Sequence, residues 1–252
     1  MRLRKATSIR LAVIAVIVLT LEILCRTGAI RRFTMIPPSE MVESLLHLFG
    51  SAEVMSDIGQ TLRSVSLSLT SALAVGFVIG AVLYAFPRAR RIADPLLGTY
   101  YSVPVFVFYP LLVSLLGLNR WPLVAIGFIF GVTAMVIATL NGLDRVPRVL
   151  LKLARVHRMS RSAEAVRIVL PAAAPYLFTG GKLALAYAFI GVIAGEFILS
   201  GGGLGYAIAY AYEAFDNRTM YALMLFVLIV VTAVNAAFYV WEQRLLRRRG
   251  RA

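Results

Sequence analysis

The chain has 252 residues, 60% hydrophobic and only 15% charged, with a mean hydropathy of +0.82. A soluble domain carries about 25% charge and about 45–50% apolar residues, so this composition excludes an ordinary water-soluble globule and points to a polytopic membrane protein. The net charge of +14 would suit nucleic acid, but its distribution along the chain reads as membrane topology instead.

Six apolar runs, at about 9–25, 60–86, 94–117, 122–141, 177–199 and 220–241, approach the ~20 residues that cross ~30 Å of hydrocarbon as a helix. They lack the in–out alternation over ~10 residues that marks a barrel strand. The expected fold is all-α: six transmembrane helices in a single domain, 1–252. The first run follows Arg2, Arg4, Lys5 and Arg10 and has the look of a signal peptide. No small-x-small cleavage site follows it, and Ile23-Leu24 before Cys25 does not fit a lipoprotein site, so it is read as a retained span.

The second run opens with Ser64, Ser66, Ser68, Thr70 and Ser71, small hydroxyl residues that either let helices approach closely or line a wet path. The pairs Gly76/Gly80, Gly127/Gly131 and Gly191/Gly195 follow the same close-packing spacing. The third run carries Pro104 and Pro110, which bend a helix and free carbonyls that neighbours or a water-lined cavity must satisfy. Tyr100, Tyr101 and Tyr109 lie beside those breaks, suiting either a transport path or plain packing. Apart from Asp94 at the very start of the third run, Glu22 and Glu196 are the acids inside the runs. Ionisable groups in lipid are expensive and often functional, and Glu196 precedes the glycine-rich SGGGLGY.

Counting Lys and Arg by side places nineteen with the two termini, the PRARR segment and the 142–175 loop, and six on the other side. Lys182 is near enough to a run's end to snorkel. The positive-inside rule then puts both termini in the cytoplasm, and no nucleic-acid partner is expected. One cysteine with His47 and His157 is too sparse for a dedicated metal site, and a single cysteine cannot form an internal disulfide. GGGLGY and GGKL (180–183) both fail the spacing of a nucleotide-binding loop, so no catalytic residue and no cofactor is assigned to this chain.

From 143 to 161 the sequence reads as an amphipathic cytoplasmic helix between the fourth and fifth spans. Arg145, Arg148, Lys152 and Arg155 share one face, with Val146, Val149, Leu150 and Leu153 on another. It lies on anionic headgroups or docks a cytoplasmic partner. Its spacing resembles the coupling loop of permease subunits of ATP-binding-cassette importers: Glu-Ala-Ala, three residues, Gly, nine residues, Ile, any residue, Leu-Pro. Here Lys152-Leu153-Ala154 is followed at those intervals by Arg158, Ile168, Leu170 and Pro171. PAAAPYLFTGGKLALAYAF, GVIAGEF, GGGLGY, IPPSEMVESLL (36–46) and the Pro104/Pro110 helix are similar to the nitrate/sulfonate/taurine branch, over about residues 36 to 245. Lys152, Leu153 and Arg158 depart from the motif. Because a left-handed backbone costs a non-glycine residue ~1 kcal/mol or more, the bend at Arg158 is expected to be remodelled.

The resemblance implies a multi-pass permease of the bacterial inner membrane that binds no cofactor itself. ATP and Mg are used by cytoplasmic ATPase partners, a second permease copy (identical or not) completes the pore, and an external solute-binding protein delivers the solute. It implies ATPase docking through Lys152, Leu153, Ala154, Arg155, Arg158 and Ser160 in a loop at 143–170. Tyr101, Tyr109 and Glu196 would lie on the translocation path, with helix breaks at Pro104, Pro110 and Pro171. The solute would be a small anion such as a sulfonate, nitrate or taurine-like compound, or a vitamin-precursor heterocycle. An ion-coupled secondary transporter is the alternative from another class; an intramembrane enzyme lacks a nucleophile–His pair in any run.

Overall fold

The computed structural model describes the backbone of residues 2–248, with the side chains of 2–8, 10, 11, 101, 199 and 242–248 outside the description. The described residues are helical, without a strand: α1 (Arg2–Arg26), α2 (Pro38–Leu48), α3 (Ala52–Ala85), α4 (Pro87–Thr99), α5 (Tyr109–Leu116), α6 (Arg120–Asp144), α7 (Arg148–Val156), α8 (Arg161–Glu164), α9 (Leu170–Leu199), α10 (Leu204–Glu213) and α11 (Asn217–Arg248). Four described helices are long and apolar enough to cross a membrane: 52–85, 120–144, 161–198 and 217–241.

α6 is the centre. Its most extensive contacts are with α9 and α3, and 61% of its most apolar stretch is buried, against 6% for α11. The three helices come close because small residues sit at their crossings. A Cβ on Gly191 of α9 would lie 2.9 Å from the Gly127 Cα of α6, and one on Gly76 of α3 would lie 2.7 Å from the Met135 Cβ. The serines of α3 divide by face. Ser64 and Ser68 are buried toward α6, where the Ser68 hydroxyl lies 3.1 Å from the Val124 carbonyl and 2.8 Å from that of Ser64. Ser66 and Thr70 are exposed. On the α6 side the hydroxyls therefore serve packing.

The third run is a correction to the expectation of one bent span over 94–117. α4 begins at Pro87, so the PRARR segment is helical rather than a loop, and a break follows Thr99. Two 3-10 turns, Tyr100–Ser102 and Val105–Phe108, flank Pro104 before α5 starts. Val103 is extended (φ −81°, ψ 123°), as a residue before proline must be. Pro110 does not interrupt α5. It sits in the first turn, where its missing N–H is one the helix leaves unpaired anyway.

Pro171 does not break its helix either. α8, a π turn at Ala165–Val169 and α9 run on as one helix from 161 to 198. The Leu170 N–H reaches back five residues to the Ala165 carbonyl, and this wider turn just before the proline accommodates its ring without ending the helix.

α1 packs chiefly against α2, and α2 against α11. The segment between α1 and α2 is tied to α11 by Asn217 Nδ2 donating to the Phe33 carbonyl (2.6 Å) and the Tyr221 hydroxyl donating to that of Thr34 (2.7 Å). At the opposite end, Arg90 of α4 grips Asp144 of α6 with two hydrogen bonds of 2.8 and 2.6 Å, which hold the guanidinium's pKa above its ordinary value.

Candidate functional site

α6 enters the 145–160 loop and the 161–198 helix leaves it, so the far ends of α6 and α9 share the opposite end of the bundle. There the sequence SGGGLGY turns the chain from α9 into α10. Three consecutive N–H groups at the start of α10, unpaired by the helix itself, are met by side chains from two other helices. Gly203 N–H donates to Asp57 Oδ1 (2.8 Å), Leu204 N–H to Thr61 Oγ1 (2.8 Å), and Gly205 N–H to Glu196 Oε2 (3.0 Å). The Thr61 hydroxyl, 2.9 and 2.8 Å from the two Glu196 oxygens, donates onward to that carboxylate. The positive end of the helix dipole favours the negative charge there.

The glycines are required by this geometry. Gly203 has φ +99°, and a Cβ on it would lie within 2.4 Å of Glu196 Oε1; one on Gly205 would lie 2.3 Å from the Ile193 carbonyl. The glycine cluster that resembles a phosphate loop thus wraps the chain's own carboxylate. The other acid within a run behaves alike. Glu22 accepts the Ser39 N–H (3.0 Å) at the start of α2 and the Ser39 hydroxyl (2.7 Å), and pairs with Arg26.

Glu196 was expected beside the solute. It is 1% exposed, and its oxygens are turned to Thr61 and Gly205, so it is a strut between α9, α3 and α10. Tyr109 is also 1% exposed, packed with Val105, Leu123 and Ile126 and with its ring 3.6 Å from where a Cβ on Gly195 would lie. The structure places it in the apolar core between α5, α6 and α9. The backbone of Tyr101 lies in the first 3-10 turn, and its side chain is outside the described residues. The Tyr100 hydroxyl donates to the Ile129 carbonyl of α6.

A cavity of about 310 Å³ opens beside this cluster, lined by Gln60, Arg63 and Ser64 of α3, Arg120 and Leu123 of α6, and the turn at Ser200–Gly202, with Glu196 in its wall. Sequence reasoning counted Arg63 and Arg120 only as outer-side charges. The signal was available in the helical spacing of Gln60, Arg63 and Ser64, which places three polar groups on one face.

At the loop end, the single amphipathic helix expected over 143–161 is two helices with a bend. α7 ends at Val156, Arg158 takes φ +49°, and α8 starts with the Ser160 hydroxyl accepting the Ala163 N–H (3.3 Å). The bonds Met159 N–H to the Ala154 carbonyl and His157 N–H to that of Leu153, both 3.0 Å, close the end of α7. The backbone thus keeps the left-handed bend that was expected to be remodelled, with arginine holding it. Lys152, Leu153, Arg155, Arg158 and Ser160 are exposed, whereas Ala154 is buried and anchors α7. Val149, Leu153 and Val156 form an exposed apolar stripe beside the basic residues.

Among the described residues there is no group of His, Cys, Asp and Glu that could hold a metal ion. What the arrangement offers is a packed three-helix core with a polar cavity at one end and an exposed, charged, bent loop at the other.

Known proteins resemble this chain in sequence and in fold. Residues 72–251 match the model of the family described as "Binding-protein-dependent transport system inner membrane component". A probable ABC transporter permease protein of Brucella abortus (strain 2308) is 26% identical over 230 residues, covering 88% of this chain and 90% of that protein. The nitrate import permease protein of Leptolyngbya laminosa is 25% identical, over 71% of this chain and 64% of its own length. The taurine transport system permease protein of Escherichia coli (strain K12) is 24% identical, over 83% of this chain and 78% of its own length. In fold, the chain is similar to a chain of the MetNI methionine ABC transporter in an inward-facing conformation, with a TM-score of 0.66 at 16% identity, covering 76% of this chain and 95% of that one. The chain belongs to the family of binding-protein-dependent transport system inner membrane components, the permeases of ABC transporters.

Proposed function

We propose that this chain is the pathway-forming permease of an ATP-driven importer, a single transmembrane domain that moves a small solute across a bacterial inner membrane. It would have six spans with both termini cytoplasmic, pair with a second permease copy, receive solute from an external binding protein, and leave ATP and Mg to cytoplasmic ATPase subunits. The solutes named for its relatives, nitrate, bicarbonate and taurine, favour a small anion or a compound with an anionic headgroup.

The observation that carries this reading is the placement of the exposed α7–α8 loop. It joins the two helices most extensively packed against each other, α6 and α9, so a push on the loop moves the core on both sides of the cavity. Each ATPase stroke would act on Lys152, Leu153, Arg155 and Arg158, with Ala154 holding α7 to the body. An ion-coupled carrier needs an acid free to exchange ions inside the membrane; Glu22 and Glu196 bind helix N-termini, and Asp94, at the edge of its run, pairs with Arg90.

Charge reversal at the bend tests the docking role. Arg158→Glu is expected to insert at normal abundance while losing ATPase co-purification and uptake, and Arg158→Ala, which keeps a non-glycine backbone there, should retain more of both. A charge-reversing suppressor in the ATPase would identify its acidic groove; co-purification of a second, different permease would identify a heterodimer. Intact coupling in Arg158→Glu overturns the docking assignment for that residue. Uptake that survives ATP depletion and collapses with an uncoupler overturns the importer reading itself.

A further inference from the structure

We propose that Arg63 and Arg120 form an anion acceptor in the cavity remote from the α7–α8 loop, where the transported solute presents a carboxylate, nitrate or sulfonate-type headgroup to two guanidiniums. The transport role of this site rests on the importer reading; its capacity to bind an anion does not.

The cavity has three walls, from α3, the start of α6 and the glycine turn, and each arginine comes from a different helix. Its volume of about 310 Å³ lies at the lower end of the ~300–1,000 Å³ of small-molecule sites, matching a solute of few atoms. Three arginines of this chain pair with carboxylates: Arg26 with Glu22, Arg32 with Glu40, Arg90 with Asp144. Among the described residues no ion pair engages Arg63 or Arg120.

The nearby acids direct their hydrogen bonds elsewhere. Glu196 shares the cavity wall, yet its oxygens receive the Thr61 hydroxyl and the Gly205 N–H, and Asp57 accepts the Gly203 N–H. Within the cavity lining two guanidiniums thus face one carboxylate, Glu196, which leaves an excess of one positive charge there.

Two further features favour an anion. Arg120 is the first residue of a 25-residue helix, so the positive end of that dipole points to the same region. The Asn119 side chain accepts the Trp121 N–H (2.8 Å), which fixes the start of the helix. The Arg120 guanidinium lies over the Trp121 ring at 5.5 Å from its centroid, an arrangement that orders a planar donor fork suited to oxyanions. Gln60 and Ser64 add neutral polar groups on the α3 side.

The stacking supplies the test. The chain has two tryptophans, so Trp241→Phe leaves Trp121 as the reporter in the full chain, purified into lipid nanodiscs. Sodium nitrate is titrated at constant ionic strength against sodium fluoride while Trp121 emission is followed. The expected result is a saturable response in this parent. Its midpoint should rise about tenfold or more in Arg63→Gln and Arg120→Gln and shift far less in Arg63→Lys. All variants should show the parent's melting temperature, since both side chains are exposed. A response that is linear in nitrate, or identical in parent and Gln variants, overturns the proposal. So does a nitrate curve unaffected by Arg63→Gln when that variant weakens capture of the cognate binding protein, because the arginines would then serve a docking protein's carboxylates. The titration uses no ATP, so evidence against ATP-driven import would leave its result standing.

Discussion

Arg158 holds a backbone conformation that glycine adopts without cost and other residues adopt at about 1–2 kcal/mol. Arg158→Gly relieves that strain while adding unfolded-chain entropy of roughly 0.5–1 kcal/mol. The expected result is a melting temperature equal to or slightly above the parent's, with Arg158→Val clearly below both because a branched Cβ is worst at positive φ. A Val variant as stable as the Gly variant would show that the bend is not left-handed. Glu196 invites a similar comparison. Removing its carboxylate leaves the Gly205 N–H and the hydrogen of the Thr61 hydroxyl buried without acceptors, at about 1–3 kcal/mol for each group. Glu196→Ala should therefore lower membrane abundance strongly, and Glu196→Gln less so, because an amide oxygen still accepts the Gly205 N–H. Abundance measured on membranes, before any uptake assay, is decisive: a fully abundant Glu196→Ala chain that fails only in uptake would show that Glu196 serves the path rather than the packing. Hydropathy reasoning singled out Glu196 correctly as unusual but could not say why, since its partners lie on α3 and α10.

At the scale of elements, stability depends on how closely α3, α6 and α9 approach. A Cβ on Gly191 would meet the backbone of Gly127 at 2.9 Å, and backbone cannot rotate aside as a side chain can. Gly191→Val should then force α6 and α9 apart and destabilise by about 1–3 kcal/mol or more, seen as a lower midpoint in detergent denaturation. Gly98→Ala is the matched control: nothing lies within 4 Å of its added Cβ, and alanine favours helix over glycine by about 1 kcal/mol. Equal effects from the two would mean that the α6–α9 crossing is looser than described. The spacing of the six paired glycines was visible in the sequence. Their contacts were not, because four-residue spacing marks a smooth face without naming the helix that lies against it.

For the whole molecule, the cavity and the bent loop lie at opposite ends of the α6–α9 pair, and the proposal that the loop end is cytoplasmic rests on the excess of basic residues. In a Cys25→Ser background, Arg158→Cys should react only with a membrane-permeant thiol reagent, and Gly201→Cys should react with an impermeant one in intact cells. Gly201 suits the probe because nothing lies within 4 Å of an added Cβ. The reverse pattern would invert the topology and with it the direction of import. The contrast between α6, largely buried, and α11, 6% buried in its most apolar stretch, leaves α11 with a wide exposed apolar face.

The sequence by itself determined the helical, membrane-embedded class and the exposed loop between α6 and α9; of the six spans it predicts, four are long apolar helices among the described residues. Each of these is summed along the chain: a run of apolar residues satisfies its own backbone as a helix, and charge bias accumulates segment by segment. It also carried the family through the intervals ending in Ile168, Leu170 and Pro171. Only the tertiary structure decided what the polar exceptions do. Pro171 looked like a break, but a preceding π turn lets the helix continue. Tyr109 fills the apolar core, and Glu196, while lining the cavity, also holds the start of α10. Arg63 and Arg120, 57 positions apart, share a cavity only because α3 and α6 pack against each other. A side chain's role in the membrane is set by which helices meet it, and those meetings are long-range contacts that no local pattern contains.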